Sequence, residues 1–160
     1  MAVDYFLLIS GIEGESTDAK YKGALSVLAY SWGETQTGVM AGGGGAGAGK
    51  VQMQDFQFTT HVSKASPKLL LACATGQALK EVKLVGRKAG GQQLEFMSYT
   101  FNDVLISSYQ VSGSGGDDGP MDQVSLTFGR LKAEYRAQKS DGSLDAPVTA
   151  SWDLKSGKQV

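Results

Sequence analysis

The chain has 160 residues, the size of one domain, and 15 Lys plus Arg against 16 Asp plus Glu leave a formal net charge of -1. That balance excludes the strong basic field of a nucleic-acid binder and offers little electrostatic resistance to self-association. Hydrophobic residues at 41% and charged residues at 19% describe a folded globular domain, and the single Cys73 excludes an internal disulfide framework.

Met1–Ser10 carries Asp4 and lacks the basic-then-apolar pattern of a cleaved export signal. Val3–Ile9 (VDYFLLI) is apolar on both faces after Asp4, as in a strand covered on both sides. The acidic, turn-rich stretch Gly11–Asp18 follows. Leu25–Trp32 (LSVLAYSW) alternates, placing Leu28, Tyr30 and Trp32 on one face. The opposite face, Val27, Ala29 and Ser31, is small-sided and suits a surface meeting solvent or another subunit. A glycine-rich loop is expected from about Gly33 to Lys50, longer than ordinary connections. Val51–Thr59 resumes a strand period that slips at Asp55, which predicts a bulge there.

SPKLLLACATGQ predicts the one helix, with Ser66 as cap, Pro67 in the first turn and Gly76 as terminator. Leu69, Leu70 and Cys73 form its expected buried stripe. Glu81–Lys88 and Gln93–Val111 read as strands joined by a hairpin at Ala89–Gly91, the second bending near Asn102–Asp103. Ser112–Asp122 is a further glycine-rich loop. Val124, Leu126 and Phe128 then share a strand face until Gly129, where a bulge is expected; Leu131, Ala133 and Tyr135 set the next phase. After a polar loop, Val148–Leu154 is the last strand, with Ala150 and Trp152 in phase. No apolar run approaches the roughly 20 residues of a membrane helix, so no membrane insertion is expected. Many strands, one short helix and no β-α-β rhythm predict an all-β fold: a closed or nearly closed antiparallel β-barrel of two sheets with the helix packed on it. Residues 1–160 are read as a single domain.

Catalytic and ligand signatures fail on inspection. Gly44–Lys50 overlays the phosphate-binding pattern G-x-x-x-x-G-K-[ST], but Val51 offers no hydroxyl and a strand, not a helix, follows. His61 is the one histidine, which excludes a multi-imidazole zinc site. Cys73 on an apolar helix stripe reads as an inert thiol. Glu13, Glu15 and Asp18 lack calcium-loop spacing and read as solvated or intersubunit groups. Asp117 and Asp118 read as loop residues. Arg87–Lys88 ends a strand without the aromatic and basic repetition of a nucleic-acid surface. Trp32 and Trp152 read as core or interface anchors. No catalytic residue, cofactor or metal site is expected, and no enzyme activity.

The stretches AVDYFLLISGIEGESTD, VLAYSWG, GKVQMQDFQFT after the glycine loop, SPKLLLACATG and RKAGG occur in order. VLISSYQVSGSGGDDGPMDQVSLTFGRLKAEY and AS-W follow them. Together they cover nearly the whole chain, which resembles the Hcp family, the hemolysin-coregulated tube proteins of bacterial type VI secretion. The resemblance implies a homo-hexameric ring that stacks on copies of itself into a tube. That tube lies inside a contractile sheath below a VgrG spike. It implies synthesis in the cytoplasm, export through the apparatus, and small effectors held and chaperoned in the ring lumen. It implies no cofactor, and no additional C-terminal toxin domain is expected. Within that frame Gly42, Gly43, Gly44, Gly45 and Lys50 form an expected ring-stacking loop, and Val27, Ala29 and Ser31 a lumen or subunit face. The other reading is a dedicated effector adaptor with little part in the tube.

Overall fold

The computed structural model describes residues 2–38, 49–89, 93–116 and 118–160. In chain order the strands are β1 (Val3–Ile9), β2 (Leu25–Ser31), β3 (Glu34–Gln36), β4 (Val51–Met53) and β5 (Phe56–His61). Helix α1 (Ser66–Thr75) follows, then β6 (Leu79–Lys88), β7 (Glu95–Ser112), β8 (Met121–Thr127), β9 (Arg130–Tyr135), β10 (Val148–Asp153) and β11 (Lys158–Gln159).

Nine strands form one antiparallel sheet in the order β11-β10-β9-β7-β6-β1-β2-β5-β8, and β8 also pairs with β7. That extra pairing closes β6, β1, β2, β5, β8 and β7 into a six-stranded barrel, with β9, β10 and β11 as a wing beside β7. β3 and β4 make a small second sheet. The barrel, the second sheet and the one helix among the described residues match the architecture expected from the sequence.

The 18-residue β7 makes closure possible. Its first half pairs with β6 on one edge and with β9, through Asn102↔Arg130, on the other. From Leu105↔Thr127 the latter edge pairs with β8 instead. The exchange falls at the bend expected near Asn102–Asp103. Asp103 sits there with φ 55°, a left-handed conformation that Asp tolerates better than most residues. The N–H of Gly129 donates to the carbonyls of Asn102 at 3.0 Å and Asp103 at 3.2 Å, so the junction keeps its backbone bonds.

Inside the barrel, Leu7, Phe56, Leu84, Phe101, Val104 and Leu126 are fully buried. Phe101 lies 4.8 Å from Phe56 and 4.7 Å from Phe128 between ring centroids. A second, smaller core lies outside the barrel wall. There Phe6 and Val85, on the outer faces of β1 and β6, are covered by Tyr21 and Ala24 from the connection to β2. This explains why β1 is apolar on both sides: Leu7 faces the barrel interior and Phe6 the smaller core.

Several local expectations need correction. A bulge at Leu28 shifts the β2–β5 register from Val27↔Thr60 to Ala29↔Thr59. Val27 therefore points into the core with Leu25, while Ala29 and Ser31 point outward and Tyr30 and Trp32 pack against the core. The slip at Asp55 is a break between β4 and β5, which belong to different sheets, rather than a bulge. The expected loop after Gly33 opens with β3, which pairs with β4 from Glu34↔Met53 to Gln36↔Val51. The cap position of α1 is Ala65, without a side-chain hydrogen bond. Ser66 instead lies in the first turn and is buried. Gly76 does end the helix in the left-handed region, φ 65°. The buried stripe is Leu69 and Ala72 with half-buried Cys73; Leu70 is 53% exposed.

The connection into β2 leaves no room beside Gly14, where an added Cβ would meet the carbonyl oxygen of Ala24 at 2.6 Å. Gly14→Ala should therefore lower the free energy of unfolding by about 1–3 kcal/mol. Gly115→Ala meets nothing within 4 Å and should be neutral or stabilising by up to about 1 kcal/mol. Urea midpoints of the two variants against the parent check both.

Candidate functional site

The bulge at Leu28 has a wider result. Beyond it the outward residues of β2, β5, β8 and the second half of β7 fall into registered rows across four adjacent strands. Ser31, Gln57, Ser125 and Ser108 form one row. Ala29, Thr59, Gln123 and Gln110 form the next, and His61, Met121 and Ser112 continue the face. Nearly all are short hydroxyl or amide side chains. Among the residues of these strand segments the one charged group is Asp122, which is 0% exposed and points inward. Charge is concentrated elsewhere, as in Lys80, Glu81, Lys83 and Lys88 on β6 and Arg130, Lys132 and Glu134 on β9.

Asp122 supports the face from behind. One carboxylate oxygen accepts the Ser66 hydroxyl from α1 and the other accepts Tyr109 Oη–H from β7 at 2.7 Å. Ser66 Oγ in turn accepts the N–H of Ser63 at 3.0 Å. Burial, then the bond to Asp122, push the Tyr109 hydroxyl above its ordinary pKa, so it remains a donor. Donors on both oxygens satisfy this buried side chain.

A second polar cluster fastens the connection between β1 and β2. Arg87 on β6 is 3% exposed and grips Asp18 through two bonds of 2.6 and 3.0 Å. Its guanidinium lies 4.9 Å from the Phe6 ring and 5.3 Å from the Tyr21 ring. The Arg87 bonds hold the Asp18 carboxyl far below its ordinary range, burial opposing them. Tyr21 Oη–H donates to Glu95 at 2.6 Å and Lys20 Nζ–H at 3.3 Å. Burial raises the Glu95 pKa, but these two bonds win and leave it lowered.

A recess of about 910 Å³ lies between the β3–β4 sheet and the β9–β10–β11 wing. Trp32, Met53, Leu131 and Trp152 line it, with Lys50 and Gln36 among its polar residues.

Of the residues singled out in the sequence, Ala29 and Ser31 lie on the uncharged face and Val27 does not. Gly42, Gly43, Gly44 and Gly45 lie outside the described residues, as does Asp117. Lys50 is exposed and borders the recess, and the strand β4 begins directly after it. Trp32 packs against the core, 5.4 Å from Tyr99. His61 is exposed on the outer face of β5, and Cys73 is half-buried on α1. Glu15 is exposed and accepts the N–H of Lys64 at 3.0 Å. Among the described residues no group of three or more His, Cys, Asp or Glu side chains is placed to hold a metal. Sequence reading missed the Arg87–Asp18 pair, whose members are 69 residues apart. The alternation of Gln123, Ser125 and Thr127 with buried neighbours was its nearest available signal for the uncharged face.

The described residues thus form a closed barrel with one broad face of neutral outward side chains, the architecture of a contact surface. The sequence matches the family described as "Type VI secretion system effector, Hcp" over residues 6–135. It is 43% identical over 162 residues to "Protein hcp1" of Pseudomonas aeruginosa, covering 100% of both chains. A solved structure titled "Structure of a type six secretion system protein" superposes with a TM-score of 0.93, at 31% identity, covering 99% of this chain and 100% of that one. The crystal structure of Hcp1 from Salmonella typhimurium gives 0.83 at 34% identity, covering 100% of both chains. The chain belongs to the Hcp family. Its role is that of a tube component of type VI secretion.

Asp122→Leu should lower stability by about 1–3 kcal/mol by leaving the Ser66 and Tyr109 donors unpaired, and Asp122→Asn by less, both read from urea midpoints. The Asp18 contribution has a definite pH signature. Its folded pKa is depressed below the ordinary 3.8, so its stabilisation is full above that value and is lost as pH falls towards the folded pKa. The melting-temperature gap between the parent and Asp18→Asn should be constant above about pH 5 and narrow steadily in more acidic buffer.

Proposed function

We propose that the chain is a single-domain subunit of the type VI inner tube that closes into a homo-hexameric ring. The face built from β2, β5, β8 and the second half of β7 is turned toward the ring lumen. The observation that carries this reading is the four-strand face without one exposed charge, on a chain with 15 basic and 16 acidic residues. A surface lining a conduit must neither trap nor repel what passes, and short neutral hydroxyls and amides meet that requirement. Ala29 and Ser31 lie on it, and effectors are held and chaperoned against it.

The rings stack on copies of themselves inside a contractile sheath and below a VgrG spike. The protein is made in the cytoplasm and leaves through the apparatus. A closed cyclic ring repeats one interface and covers strand edges left open in a single subunit. The segment Gly42–Gly45 with Lys50 forms the contact between rings. The exposure of Lys50 beside the recess supports that assignment.

Purified protein imaged by negative stain should show six-fold rings, and a bulky label on Ser125→Cys should add density in the central hole. Monomers at all concentrations would overturn the ring, and label on the outer perimeter would overturn the orientation of the face. Deleting Gly42–Gly47 should leave rings intact and abolish their stacking into tubes, scored in the same images.

A further inference from the structure

The lumen reading leaves open what surface of a cargo the face accepts. Its chemistry decides that more narrowly than the ring shape does. A Lys, Arg, Asp or Glu side chain pressed against Ser31, Thr59, Gln123 and Ser125 finds no counter-ion on the four strands. Asp122 is sealed behind the sheet and already accepts two hydroxyl donors. Asp55, half-buried just before β5 at the edge of the face, accepts the Ser107 hydroxyl at 2.7 Å. Stripping water from an unpaired charge is unfavourable, and neutral donors and acceptors repay only part of the loss. A backbone amide, an Asn, Gln, Ser or Thr side chain, or a small apolar group suffers no such loss. These groups meet hydroxyl and amide partners that both donate and accept.

We infer, resting on the lumen assignment, that this face docks a protein whose contact patch carries no charged side chain. Selection is by exclusion of charge from the patch, whatever the net charge of the cargo as a whole. Two properties follow. Binding is insensitive to ionic strength, because no ion pair is formed or screened. A single charge placed on the face switches selection toward patches of the opposite sign, because it becomes the one unpaired group there.

The test uses intact rings and an mRNA-displayed library of a small three-helix scaffold randomised over one surface. Binders weakened by Gln123→Lys on the ring are retained as those that use this face. Their randomised positions should be depleted in Asp, Glu, Lys and Arg relative to the input library. Their dissociation constants should change by less than about threefold between roughly 0.1 and 1 M NaCl. Fresh selection on Gln123→Lys rings should enrich Asp and Glu and yield binders that salt weakens. Charge-enriched patches on the parent ring, a salt effect of about threefold or more, or no binder sensitive to Gln123→Lys would each overturn the inference. Negative-stain classes of the loaded parent rings separate this from the lumen assignment. Binder density on the perimeter rejects the assignment, whereas charge content and salt response judge the docking chemistry.

Discussion

Strand β7 trades β9 for β8 along a single edge, and that exchange closes the barrel. The backbone has to turn at one residue without losing its ladder. Asp103 supplies the turn in a left-handed conformation, and Gly129 returns one N–H to the two carbonyls at the junction. Asp is among the few side chains that accept this conformation at modest cost. Lys155 and Arg130, 3.6 and 3.9 Å from its carboxylate, flank it with opposite charge. Without the exchange, β8 would end the sheet with an open edge on the side where β7 now pairs. The same residue marks a boundary in surface chemistry. Before it, β7 runs between the charged strands β6 and β9; after it, β7 joins the neutral face.

That neutral face gains from the interior as well as from its own composition. Asp122 faces into the protein because β8 keeps strict alternation, and its hydroxyl partners come from α1 and β7. The carboxylate therefore links the helix to the sheet it packs on while adding no charge to the outside. A chain with nearly equal numbers of acidic and basic groups has sorted them by face, which net charge cannot reveal.

Much of the architecture was legible in the sequence. Period-two alternation marked the strands, Pro67 and Gly76 marked the helix, and the bend at Asn102–Asp103 was visible in the excessive length of one strand-like run. Where the reading failed, the cause was non-local. LSVLAYS alternates without interruption, so nothing in it betrays the extra residue at Leu28 that moves Val27 into the core. That bulge is set by pairing with β5. The α1 stripe was misplaced because SPKLLLACAT offers three consecutive leucines and only the position of the sheet selects Leu69. The Arg87–Asp18 pair joins segments far apart in the chain, and no spacing rule reaches that distance. The face itself was half legible: its strands visibly lack charge, but only register places Ser31, Gln57, Ser125 and Ser108 in one row. The family resemblance supplied the role in secretion, which no single motif carried.

The small core of Phe6, Tyr21, Ala24 and Val85 lies on the far side of the barrel wall from the main one. Two cores separated by a hydrogen-bonded sheet need not melt together. The connection between β1 and β2 is held by Tyr21, the Asp18–Arg87 pair and a few backbone bonds, including Gly14 N–H to Gly23 at 2.8 Å and Gly23 N–H to Ser16 at 2.9 Å. Ile12, in the same connection, is nonetheless buried in the main core, so one segment is anchored on both sides of the barrel wall and couples the two cores.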